Sequence, residues 1–84
     1  MTYEGSANYE TAMIAQWIAN DEELYEHWKL AAMEAEDVLS LSERLQDEFE
    51  WEMPDLHGIW WDLLVSAFEE IDWFEIAEDL IRND

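Results

Sequence analysis

Eighty-four residues with 50% apolar and 14% aromatic content make one domain and are too hydrophobic for a disordered acidic tail. A net charge of −20, from 23 acids against three bases, excludes direct nucleic-acid binding and contact with anionic membranes, and favours attraction to basic clefts. Without cysteine no disulfide can staple so small a fold, so packing of its six tryptophans and its aliphatic residues has to supply the stability.

The chain opens without the basic and apolar segments of a secretory signal between Met1 and Ala12, and no run approaches the roughly 20 apolar residues of a spanning helix. The expectation is a protein of the cytoplasm. The only strand candidate is a short extended arm around Thr2 to Glu4. A first helix is predicted from after Asn8 to about Ala19, with Met13, Ile14, Trp17 and Ile18 on one face. Asn20 then reads as an N-cap with Glu23 in the capping-box position. The second helix carries Leu24, Trp28, Ala31, Ala32, Ala35 and Val38 and ends near Leu39. Ser40 and Glu43 form another capping box for a third helix bearing Leu41, Leu45 and Phe49, and Pro54 closes that region.

From about Asp55 to Ile71 the apolar residues Leu56, Ile59, Trp60, Leu63, Leu64, Ala67, Phe68 and Ile71 recur at helical spacing. This segment is predicted to be the central core helix, with a start blurred by Gly58. Asp72, with Glu75 three residues on, caps a final helix whose Trp73, Ile76, Ala77 and Leu80 fold back on the core. The fold class is therefore all-α, a compact single domain of four to five short helices spanning residues 1–84.

Asn8-Tyr9-Glu10-Thr11, followed by Ile14, Trp17, Ile18, Asn20, Asp21 and Leu24-Tyr25, and then Asp72-Trp73-Phe74-Glu75-Ile76-Ala77 near the end, resemble a family of small phage- and plasmid-borne proteins. Its members begin with an N-Y-E-T-W motif and end with D/N-W-x-E-I-A; Ala12 stands here where the family has Trp. The resemblance covers both ends of the chain and implies a mobile-element setting in a bacterial host, with no reaction attached. Mobile elements carry acidic anti-restriction and anti-CRISPR proteins that imitate DNA, and that is the functional expectation the resemblance suggests.

The charge supports it by magnitude. A compact chain of this length is roughly 30 Å across, and duplex DNA places about 20 phosphates on some 34 Å of axis. The carboxylates Glu34, Glu36, Asp37, Glu43, Asp47, Glu48, Glu50, Glu52 and Asp55 crowd one third of the chain with only Arg44 among them. Helical pairs such as Glu43 with Asp47 stand about 6 Å apart, near the spacing of successive phosphates. Each like-charged pair costs a helix roughly 0.2 to 0.5 kcal/mol, so their repetition points to a use. These residues, with Trp51 as an aromatic anchor, form the expected partner-binding surface. Trp61, adjacent to Trp60, either covers a neighbouring helix or anchors a partner, whereas Trp17, Trp28 and Trp73 read as core.

Enzyme chemistry finds no support. His27 and His57 have no metal-ligand spacing, no EF-hand or glycine-rich phosphate loop exists, and neither metal nor cofactor is expected. The expected partner is a CRISPR effector or a restriction enzyme with a basic DNA-binding groove. The alternative is an acidic interaction module or chaperone for a basic phage or plasmid protein, and a homodimer that lengthens the acidic surface stays open.

Overall fold

The computed structural model describes residues 8–82. The arm expected around Thr2 to Glu4 lies outside them. Five helices connect in order: α1 (Tyr9–Asn20), α2 (Glu22–Glu34), α3 (Val38–Trp51), α4 (Ile59–Glu69) and α5 (Trp73–Arg82). Among the described residues there is no strand, and the fold is all-α as the apolar spacing and capping signals predict. No described helix is long and apolar enough to cross a membrane.

Four of the five helices start on an Asn or Asp side chain that accepts a backbone N–H from three residues ahead. The pairs are Asn8 with Thr11 (2.8 Å), Asp21 with Leu24 (3.0 Å), Asp37 with Ser40 (2.8 Å) and Asp72 with Glu75 (3.0 Å). Each satisfies a donor that the first helical turn leaves orphaned. Two of these caps differ from the predicted ones. Asn20 is the last residue of α1, and Asp21 caps α2. Ser40 lies inside α3, and Asp37 caps it. In both cases the residue chosen is a carboxylate on extended backbone, which also sits favourably at the positive end of the helix dipole. Helix α2 correspondingly ends at Glu34, because Ala35 and Asp37 are extended.

The core forms where α5 packs along α3 and, at its flanks, on α2 and α1. Ile18, Trp28, Ala31, Leu41, Leu45, Trp73, Ile76, Ala77 and Leu80 are its buried centre. In α3 the buried residues Leu41, Ser42 and Leu45 follow helical spacing, which leaves Glu43, Asp47 and Glu50 on the opposite side. An aromatic series runs through the body: Trp28 of α2 stacks on Phe49 of α3 (centroids 6.2 Å apart), Phe49 meets Trp73 of α5 (5.4 Å), and Trp73 meets Phe68 of α4 (5.3 Å). Such ring pairs add roughly 0.5 to 1.5 kcal/mol each beyond the area they bury.

Helix α4 overturns the expectation of a central core helix, since none of its residues is buried. Leu64, Val65, Ala67 and Phe68 are half-buried on the side facing the body, while Ile59, Trp60 and Leu63 are exposed. The run from Ile59 to Val65 is apolar on nearly every side, so part of it faces outward however the helix is turned. Gly58 starts the helix with φ 63°, in the left-handed region that favours glycine, and offers no side-chain cap. Trp17, also predicted to be core, is 68% exposed, because α1 turns Thr11 and Ile18 inward instead.

The two motif-bearing segments at opposite ends of the sequence meet in space. Thr11 is completely buried and its hydroxyl accepts the Asp72 backbone N–H at 2.8 Å, while the Asn8 side-chain amide donates to the Glu70 carbonyl. The Asn8-Tyr9-Glu10-Thr11 stretch thus ties the start of α1 to the turn between α4 and α5. Trp73 and Ile76 of the second motif enter the core directly beyond that tie.

Candidate functional site

The predicted site residues divide into three groups by what they touch. Asp37 is a cap: the Ser40 backbone N–H and, secondarily, the Ser40 hydroxyl hold its carboxyl below the ordinary Asp value. Glu48 is paired, with Arg44 Nε at 3.0 Å and His27 Nε2 at 3.5 Å. Those two acids are part of the fold's own wiring. The remaining seven acids, Glu34, Glu36, Glu43, Asp47, Glu50, Glu52 and Asp55, are exposed and have no cation partner among the described residues.

Glu43, Asp47 and Glu50 follow one another at i, i+4, i+7 on α3, opposite the buried Leu41 and Leu45. They form one outward row at roughly one carboxylate per helical turn, about 5.4 Å. Trp51, 89% exposed, stands at the end of this row, as the anchor expectation requires of an interface indole. Glu34 and Glu36 lie apart from it, at the corner between α2 and α3, around a shallow cleft that Arg44 also lines.

Glu50 and Asp55 come together with a residue that the sequence did not single out. A cleft of about 600 Å³ opens between the end of α3, the following loop and α4, with Glu50, Asp55 and Glu69 on its rim and Trp61, Met53, Val65 and Phe68 on its floor. Trp61, 40% exposed, lines this cleft between the carboxylates. Glu69, 19 residues from Glu50 in the sequence, is brought to the same cleft only by the fold.

All three cations are occupied within the fold. Lys29 donates to the Leu80 carbonyl at 2.9 Å, Arg44 holds Glu48 and lies over the Trp28 ring, and Arg82 holds Asp79 at 2.6 Å. None is spared for the outward acids. Several acids also stand where a helix least tolerates them: α2, α3 and α4 end on Glu34, Glu50 with Trp51, and Glu69, without a base in the last turn of any of them. An acid at that negative end of the dipole costs about 0.3 to 1 kcal/mol. Among the described residues no group of acids and histidines is arranged to hold a metal ion.

The body measures 40 × 27 × 23 Å. Its net charge of −20 amounts to about one charge per 2 Å of the long axis, against one per ~1.7 Å of duplex DNA. No family model, no curated protein and no solved structure matches this chain.

Proposed function

We propose that this protein is a DNA-mimicking inhibitor that occupies the basic DNA-binding groove of a bacterial host defence complex, a CRISPR effector in the first place and a restriction enzyme in the second. The observation that carries the reading is the row Glu43, Asp47 and Glu50, unneutralised on the outer side of α3 and continued by Asp55 and Glu69 around Trp61. Acids placed against helix dipoles and against one another lower the stability of a small domain, and a partner rich in lysine and arginine reverses that cost on binding. Electrostatic steering gives fast association, and the exposed Trp51 and Trp61 supply residence once the groove is filled. The motif resemblance supplies the mobile-element setting of the proposal.

Competition measures it. Purified protein added to a CRISPR effector or restriction enzyme is expected to displace labelled duplex DNA, with an affinity that falls as salt rises. Replacing Glu43→Gln, Asp47→Asn and Glu50→Gln together is expected to weaken displacement roughly tenfold or more. A complex holding enzyme, duplex and this protein at once would sink the steric reading. Recovery instead of a basic protein encoded by the same element, with no effect on DNA occupancy of the defence complexes, would move the assignment to an acidic interaction module.

A further inference from the structure

The other flank of α4 carries a second surface that the acidic row does not explain. The Asn8 to Glu70 hydrogen bond joins the start of α1 to the end of α4, and from that junction two rows of side chains lead away. On α1 they are Glu10, Met13 and Ile14, continued one turn further by Trp17. On the other side they are Ile71, just past α4, and Ala67 and Leu64 on that helix, continued one turn further by Trp60. Between them lies an apolar cleft of about 350 Å³ floored by Phe49, Phe68 and Trp73. Met13 on its lip, and Trp17 and Trp60 one turn beyond it, are 46%, 68% and 66% exposed. Soluble monomers rarely leave so many large apolar side chains together in water.

Charge decides what fits. No lysine or arginine occurs in α1 or anywhere between Arg44 and Arg82, so both walls lack cations. Glu10 and Glu52 line the cleft itself, and Asp62, Glu69 and Glu70 stand on or just beyond α4. A second copy of the chain would bring the same carboxylates against these and a further −20 of net charge. An apolar surface flanked by bases suffers no such repulsion. From Glu10 to Trp17 on α1 and from Trp60 to Phe68 on α4 the two rows run about 12 Å at 1.5 Å per residue, roughly two helical turns.

We propose that the α1/α4 cleft is a docking groove for a basic amphipathic helix of a partner protein. Leucine-like residues at i, i+3, i+4 and i+7 of that helix fill the cleft, and lysines or arginines on its flanks meet Glu10, Glu52 and the faces of Trp17 and Trp60. Methionines at 13 and 53 lend the walls the adaptability that such grooves use for helices of differing sequence. This surface is separate from the α3 row, and it stands or falls independently of DNA mimicry.

The probe is a synthetic leucine and lysine peptide with its leucines on one helical face, compared with a peptide of the same composition in scrambled order. The full-length protein is expected to bind the amphipathic peptide at least tenfold more tightly than the scrambled one, with a blue shift of tryptophan emission. Trp17→Ala with Trp60→Ala, both at exposed positions, is expected to lower that affinity at least tenfold. Met13→Lys is expected to weaken it by placing a cation on the lip. The triple α3 variant used in the competition assay is expected to change it less than threefold. Equal binding of the two peptides, indifference to the Trp17 and Trp60 replacements, or a dimer by light scattering that the peptide does not dissociate would each overturn the proposal.

Discussion

Helices α4 and α5 are nearly the same length, yet the more apolar one stays outside. Eight of the eleven residues of α4 are apolar and none is buried; six of the ten in α5 are apolar and four of them, Trp73, Ile76, Ala77 and Leu80, make the centre of the core. The difference is segregation. In α5 the acids Glu75, Glu78 and Asp79 leave one clean stripe, so a single orientation buries the apolar residues and hydrates the rest. In α4 the run Ile59 to Val65 is interrupted only by Asp62, so no orientation hides it all against one neighbour. Quantity of hydrophobic surface therefore says less about the core than its arrangement does.

The contrast makes a direct prediction. Leu45→Ala, at a completely buried site on α3, is expected to cost about 2 to 5 kcal/mol of unfolding free energy. Leu63→Ala on the exposed side of α4 is expected to cost less than about 0.5 kcal/mol. Urea denaturation of the two variants checks both. A loss at Leu63 equal to that at Leu45 would mean that α4 is part of the cooperative core and that the comparison fails.

The tie between the two ends of the sequence comes next in size. Thr11→Val keeps the shape of the side chain but leaves the Asp72 backbone N–H without its acceptor, which is expected to cost about 1 to 3 kcal/mol. Thr11→Ser retains the hydroxyl and is expected to recover the part owed to the hydrogen bond. Equal destabilisation by valine and serine would assign Thr11 to packing alone.

The smallest effect separates a structural acid from the outward ones. Hydrogen bonds from Ser40 lower the Asp37 value in the folded chain, so the stabilisation it gives is fully present above the ordinary Asp value and is lost as pH falls through the folded one. Asp37→Asn keeps a capping side chain and removes the charge. Its stability is expected to lie slightly below that of the parent at neutral pH and to converge with it in acid, as followed by denaturation between about pH 5 and pH 2. Parallel curves for the two proteins would show that the charge of the cap contributes nothing.

The sequence conveys local signals wherever these suffice: the first helix begins directly after Asn8, Asp72 caps the helix expected of it, and the Trp73 to Leu80 stripe is buried as predicted. At Asn20-Asp21 and between Asp37 and Ser40 two capping residues compete within a few positions, and the backbone resolves a choice that spacing leaves open. The periodicity of α4 identifies a helix correctly, but burial is a property of partners, and α3 and α5 satisfy each other first. The acidic excess is equally plain from composition. That His27 also reaches Glu48, or that Glu69 joins Glu50 and Asp55, depends on neighbours distant in sequence.

The tie of Asn8 and Thr11 to the turn before α5 also governs when this protein can assume its shape during synthesis. Until the residues from Asp72 to Leu80 have left the ribosome, Thr11 has no donor to accept, and α1, α2 and α3 have no hub to close upon. Until then Trp28, which the folded protein buries, stays uncovered, with a dense negative charge as the chief force keeping neighbouring copies apart. The acids of this molecule thus act before there is any surface to speak of, as guardians of a chain that waits for α5.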